Sequence, residues 1–128
     1  MNHSSLAVLF AAITLVGCSS AGGAVQCSIT SSGSPLGCID YVGLTTDQEA
    51  LYERSCTASA DAGSSSGTRA AWLRSSCSRV GAFGGCRQQS GGFSVTIWYY
   101  GSLIDGGSTP VETYRSSCTM IGGVWVDP

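Results

Sequence analysis

Lysine is absent from this chain of 128 residues, and its single histidine is His3. Beyond that position the chain has no imidazole for Ser-His-Asp or Cys-His catalysis, and none to ligate a metal. The lack of lysine also excludes Schiff-base chemistry. Eight carboxylates are therefore the groups left for acid–base catalysis, and the sequence favours a protein that is not an enzyme.

Charge is scarce as well, since acidic and basic residues make up 11% of the chain and the formal net charge is −2. The basic residues are all arginine and occur singly, at Arg54, Arg69, Arg74, Arg79, Arg87 and Arg115. Binding to the phosphate backbone of a nucleic acid needs clustered positive charge, so we expect no nucleic-acid partner. No two cysteines have the C-x-x-C spacing of a structural zinc site, and the sequence predicts neither a metal nor another cofactor.

One apolar run opens the chain, LAVLFAAITLV at residues 6–16, and it is too short to span a bilayer as a mature helix. Its length is that of a signal-peptide core, so residues 1–17 are interpreted as a signal peptide. The segment SSAGGA that follows at residues 19–24 has the composition of a flexible linker, and residues 18–24 are interpreted as a tether.

Directly after the apolar run, Leu15, Val16 and Gly17 precede Cys18. This stretch resembles the lipobox of bacterial lipoprotein precursors. The resemblance implies cleavage before Cys18, a covalent lipid on its sulfur, and a membrane partner reached through that lipid. Ser19 then favours the outer membrane, by analogy with lipoprotein sorting in Gram-negative cells. The alternative is an ordinary secretory signal cut after Ala21 or Ala24, which exports the protein without a lipid.

The other cysteines form an even set, as expected for the disulfides of a small exported domain. They are Cys27, Cys38, Cys56, Cys77, Cys86 and Cys118. Landmarks recur in the same order, Cys-Ser, Gly-Cys and then Ser-Cys-Thr, which indicates similar halves at about residues 25–74 and 75–128 of one domain. The alternative is coincidence in a chain rich in Ser, Gly and Cys. By symmetry we expect Cys38–Cys56, Cys86–Cys118 and a bridge between the halves, Cys27–Cys77.

The fold class predicted from these segments is α+β, a small disulfide-rich domain of short antiparallel strands with two helices. Capping boxes at residues 46–49 and 109–112 begin the helices, and glycines near residues 63 and 122 end them. Alternation predicts strands at residues 24–30, 38–42, 86–89, 93–100 and 124–126. Residues 68–74 are compatible with a strand or a helical turn.

Aromatic residues supply the binding hypothesis. Trp98 and Tyr100 share one face of the strand at residues 93–100, and if that face is open they form a platform for sugars, peptides or a protein. The alternative is that the tryptophans belong to the core, which a small domain needs. For catalysis the remaining candidate is a carboxylate pair, Asp40 and Glu53, as in glycosidases.

Taken together, the lipobox, the paired cysteine halves and the C-terminal C-x-x-x-G-G-x-W resemble the small cysteine-rich lipoproteins of bacteria. The resemblance implies a location in the cell envelope and no activity. We therefore expect a lipid-anchored envelope protein with a non-catalytic binding or structural role, and an envelope protein or glycan as its partner. The alternatives are an inhibitor of an envelope hydrolase and a small carboxylate-dependent hydrolase of wall or glycan.

Overall fold

A computed structural model describes residues 23–62, 67–101 and 110–128 of the chain. The signal peptide and the lipidation site at Cys18 lie outside these residues. The described residues form two helices and a single antiparallel sheet of six strands, with three disulfides. The predicted α+β class is confirmed.

The elements follow one another as strand, strand, helix, strand in each half of the chain. Their bounds are β1 Ala24–Ser31, β2 Ser34–Val42, α1 Thr46–Ala62, β3 Thr68–Leu73, β4 Ala82–Ser90, β5 Phe93–Tyr100, α2 Val111–Met120 and β6 Val124–Val126. The segment that the sequence left undecided, residues 68–74, is the strand β3 as far as Leu73. The strand order in the sheet is β3-β1-β2-β5-β4-β6.

Each half has the same topology: a hairpin, then a helix, then a third strand that pairs with the first strand of the hairpin. The halves meet where β2 pairs with β5. In this arrangement Cys27 of β1 corresponds to Cys86 of β4, since each lies opposite a tryptophan of the third strand, Trp72 or Trp125. The recurring Cys-Ser landmark, which made Cys27 the counterpart of Cys77, was therefore wrong about this correspondence.

Both hairpins are closed by two residues with positive φ, Ser32-Gly33 and Gly91-Gly92. Positive φ at both central positions is the geometry of the tight turns that match the right-handed twist of paired strands. Because glycine adopts this conformation without strain, Gly33 and the Gly91-Gly92 pair fit these turns well. The turns thus set the register next to each turn, and in the first hairpin an irregularity between Ile29 and Thr30 then shifts the pairing by one residue.

Both helices cover the same face of the sheet, which we call the helix face. Cys27 and Cys86 point to it, because Cys27 lies opposite Ile39, Ile39 opposite Ile97, and Ile97 opposite Cys86. The disulfides Cys27–Cys56 and Cys86–Cys118 link these strand residues to α1 and α2. Each helix is therefore bonded covalently to the first strand of its own half.

The disulfide prediction was right for Cys86–Cys118 and wrong for the other two bridges. Cys38 pairs with Cys77, and Cys27 pairs with Cys56. The reason is strand alternation: Ile39 faces the helices, so its neighbour Cys38 points to the opposite face and cannot reach α1. The partner of Cys38 must come from a segment that crosses that opposite face.

Aromatic rings fill the space between the sheet and each helix. Tyr41 and Tyr52 have ring centroids 4.8 Å apart, and the corresponding pair Tyr99 and Tyr114 are also 4.8 Å apart. Trp72 packs 5.5 Å from Tyr41, and Trp125 stacks 6.0 Å from Tyr99. Burial, and then the neighbouring tyrosine, raise the pKa of both Tyr41 and Tyr99, so these rings stay neutral in their layers.

The first helix is capped one residue earlier than predicted, by Thr45 instead of Thr46. The hydroxyl of Thr45 accepts from the Gln48 amide at 3.3 Å, and the Thr45 amide donates to the Gln48 side chain at 2.9 Å. This reciprocal pair is a capping box in which glutamine takes the third position. Glu49, predicted as the cap partner, is instead buried and lies 2.7 Å from the guanidinium of Arg74.

The second helix has Pro110, and not Thr109, at its N-cap position in the described residues. Thr109 lies outside them, Pro110 precedes the helix with no side-chain cap bond, and Glu112 pairs with Arg115 at 3.4 Å. The predicted end of this helix is confirmed, because α2 stops at Met120 and Gly122 has a φ of 76°.

Candidate functional site

The second face of the sheet carries a polar row. Gln26, Asp40, Thr96 and Arg87 lie opposite one another on β1, β2, β5 and β4. Helices cover the other face only, and this face is crossed by the segment that joins β3 to β4. We call residues 74–81 the strap and this side of the sheet the strap face.

The strap is fixed to each strand that it crosses. The Gln26 side-chain amide donates to Ser75 Oγ at 2.7 Å and to the Ser76 carbonyl at 3.1 Å. Next, Cys77 is bonded to Cys38 of β2. Finally, the Tyr100 hydroxyl of β5 donates to the Ser78 carbonyl at 2.5 Å. A connection without secondary structure is thus held on the sheet by a covalent bond and side-chain hydrogen bonds.

Asp40 lies under the strap, and both of its carboxylate oxygens accept hydrogen bonds. Oδ1 accepts from the Cys77 amide at 2.6 Å, and Oδ2 accepts from the Trp98 indole at 2.8 Å. The side chain is buried. A buried carboxylate bonded to fixed donors holds those donors in place, so Asp40 positions both the strap and Trp98.

The predicted pair of Asp40 with Glu53 does not form. Asp40 is on the strap face, whereas Glu53 is an exposed residue of α1, which packs on the helix face. The sheet separates the two carboxylates. The alternation of β2 decides this, because Asp40 points away from Ile39 and Tyr41, which face the helices.

Replacing Asp40 tests its role under the strap. We expect Asp40→Asn to lower the free energy of unfolding by about 2 kcal/mol, because the amide NH2 must face one of the two buried donors. The measurement is the urea midpoint at constant slope, with Asp127→Asn as an exposed carboxylate control that we expect to change stability by less than about 0.5 kcal/mol. Full stability of Asp40→Asn would contradict the positioning role.

Trp98 and Tyr100 do not form an open platform. Both are buried, at 3% and 4% exposure, and the guanidinium of Arg79 lies 4.8 Å above the Trp98 ring. They are on the predicted face of β5, but the strap covers it, so the core alternative is the correct one for these two residues. Burial and then the charge of Asp40 raise the pKa of Tyr100, which keeps its hydroxyl protonated as a donor to the strap.

Two grooves remain open, one on each side of the strap. The polar groove encloses about 460 Å³, and its lining includes Arg79, Arg87, Thr96 and Asp127. The apolar groove encloses about 510 Å³, and Leu73 and Val80 are among its lining residues. Sequence reasoning missed both grooves, since their residues come together only through the path of the strap.

The arginines of the polar groove make no ion pair with any other described residue at 4.0 Å or less. Arg79 is held by its contact with Trp98, and Arg87 projects from β4. Both side chains are exposed. Guanidinium groups in this setting can donate hydrogen bonds to a carboxylate or a phosphate.

Residues 23–62, 67–101 and 110–128 contain no cluster of three or more His, Cys, Asp or Glu side chains that could hold a metal. Neither helix in the described part of the chain is long and apolar enough to cross a membrane. The chain matches no protein-family model, no curated protein and no solved structure.

Proposed function

We propose that this protein is an exported, lipid-anchored component of the bacterial cell envelope that acts as a non-catalytic binding domain. The observation that carries the binding role is the strap face: a polar and an apolar groove lie on either side of a segment that is held by Cys38–Cys77 and Asp40. A surface that is ordered before binding loses little conformational entropy when a ligand arrives.

The cysteines support the export of the protein. The three disulfides are compatible with an exported protein, because such bonds persist in oxidising compartments. The resemblance of Leu15 to Cys18 to a lipobox supports anchoring at Cys18, and Ser19 supports the outer membrane as the destination. A short tether after Cys18 then places the domain close to the bilayer.

A second candidate function is inhibition of an envelope hydrolase, which the turn of the strap favours. Val80 is 87% exposed there, and the Ala82 amide donates to the Arg79 carbonyl at 3.1 Å. The apolar side chain is thus presented by a closed turn close to a disulfide. Loss of a hydrolase's activity at one-to-one stoichiometry is the result that would support this candidate.

The anchor and the oxidation state are tested together by intact mass spectrometry of the protein purified from native membranes, before and after reduction and alkylation. We expect a chain that begins at Cys18, carries the added mass of a lipid group, and gains six alkyl groups only after reduction. An unmodified chain beginning later would exclude the anchor. Alkylation without reduction would contradict the three-disulfide framework.

A further inference from the structure

The start of the described chain marks one end of the sheet. Ala24 opens β1 and lies opposite Val42, the last residue of β2, which in turn lies opposite Ser94 of β5. We call this end of the sheet, where β1 begins and β2 ends, the near end. Between Cys18 and Gly23 there are five peptide units, which span at most about 18 Å. A lipid on Cys18 therefore keeps the near end within that distance of the membrane surface.

Exposed apolar side chains concentrate at this same end. Of the seven large hydrophobic residues that are exposed in the described chain, five belong to it, and we call them the apolar rim: Val42, Leu73, Met120, Ile121 and Val124. The pairing of Leu73 with Gln26 and of Val124 with Arg87 places both near this end. The other two, Leu51 and Val80, lie on α1 and in the strap.

The most exposed part of the rim is the turn between α2 and β6. Met120 is 82% exposed and Ile121 is 62% exposed, and they precede Gly123, which packs against the Cys86–Cys118 disulfide so closely that a Cβ there would have no space. The turn is therefore rigid, because the disulfide and the bond from the Gly123 amide to the Cys118 carbonyl hold it. A fixed turn that projects two large apolar side chains suits insertion into a lipid interface.

The charges beside the rim match a phosphate surface. Val42 of the rim also lines the polar groove, in which Arg79 and Arg87 have no ion pair among the described residues. The acidic residues of that groove are Asp40, which the strap and Trp98 already engage, and Asp127, beyond the C-terminal end of β6. Headgroup phosphates can accept hydrogen bonds from the two guanidinium groups.

We propose that the apolar rim contacts the bilayer directly, with Met120, Ile121 and Val124 inserted into the interface and Arg87 at the level of the phosphates. The proposal rests on the proposed anchoring at Cys18 for its physiological setting, and it names the lipid surface as the partner of the near end. The contact seats the domain on the membrane, so that Val80 faces away from the lipid.

The experiment uses the oxidised mature chain, residues 18–128, with Cys18→Ser so that no lipid is attached. Binding is measured by sedimentation with sucrose-loaded vesicles of phosphatidylethanolamine and phosphatidylglycerol. We expect the chain to sediment with the vesicles and the double variant Met120→Ser, Ile121→Ser to partition at least tenfold more weakly, because two large apolar side chains no longer enter the interface. Val80→Ser, an equally exposed apolar position away from the near end, is the control and should bind unchanged.

Three results would overturn the proposal: no sedimentation of the Cys18→Ser chain, an equal loss in the Val80→Ser control, or conversion of a dimer into a monomer by the rim substitutions without vesicles. The last result would mean that a second copy covers the rim. Failure here is distinguishable from failure of the anchor, because the anchor is tested by the mass at Cys18 in the native protein. Circular dichroism with retained disulfides shows that each variant is folded.

Discussion

Gly84→Ala is expected to destabilise the protein by about 3 kcal/mol, because a methyl group at this position has no space and must displace a packed aromatic ring. A Cβ on Gly84 would lie 2.0 Å from Cζ2 and 2.6 Å from Cε2 of Trp125. The indole would have to leave its stacked position on Tyr99. The measurement is the urea midpoint, together with the near-ultraviolet circular dichroism of the aromatic layer.

A matched control for this substitution is Gly37→Ala, on the neighbouring half of the same sheet. There the nearest atom to the added Cβ is the Trp98 carbonyl oxygen at 3.9 Å, which is an ordinary contact. We expect a change of less than about 0.5 kcal/mol. Equal midpoints for the two variants would show that Trp125 has another low-energy position and that the stacked layer is not a constraint on β4.

Removing the strap disulfide by Cys38→Ala with Cys77→Ala should cost about 4 kcal/mol in the free energy of unfolding, on the chain-entropy account of a loop of this length. The two cysteines are 39 residues apart in sequence. We expect the loss of the bridge to loosen the strap more than the rest of the domain. Without the bridge, the strap depends on hydrogen bonds from Gln26, Asp40 and Tyr100, and we expect trypsin to cleave after Arg79 under conditions in which the native protein is resistant.

The control for the strap is the double variant Cys27→Ala with Cys56→Ala, which removes a bridge of similar span, 29 residues, from the helix face. It should lose a comparable amount of stability, about 3.5 kcal/mol, since the span enters only logarithmically. At an equal fraction of folded protein, this variant should be cleaved after Arg79 no faster than the native protein, whereas the variant without Cys38–Cys77 should be cleaved faster. Equal cleavage in both variants would show that the strap opens only by global unfolding.

Local patterns predicted much of the secondary structure. The alternation predicted strands at residues 86–89 and 93–100, and both are confirmed in β4 and β5, which form a hairpin closed by Gly91-Gly92. The short strand predicted at residues 124–126 is confirmed as well. These predictions succeeded because hairpin turns and strand alternation depend on residues that are adjacent in the chain.

The candidate site could not be predicted in the same way. Trp98 and Tyr100 were placed correctly on one face of β5, but whether that face is open depends on the path of the strap, residues 74–81. Nothing in the composition of that segment indicates that it crosses the sheet. Asp40 likewise became a positioning residue only because Cys77 and Trp98 bring their donors to it from distant parts of the chain.

The disulfides show most clearly which features local sequence can predict and which depend on tertiary contacts. Local sequence was sufficient to predict that six cysteines form an even set and that two helices and several short strands exist. The lipid at Cys18, which the resemblance to a lipobox implies, stays a prediction. Which cysteines pair depends on the tertiary structure. Cys27 and Cys38 lie on adjacent strands of one hairpin and point to opposite faces, so one bonds to a helix and the other to the strap. Which segment covers each face depends on contacts between residues far apart in the chain, and these are absent from local periodicity.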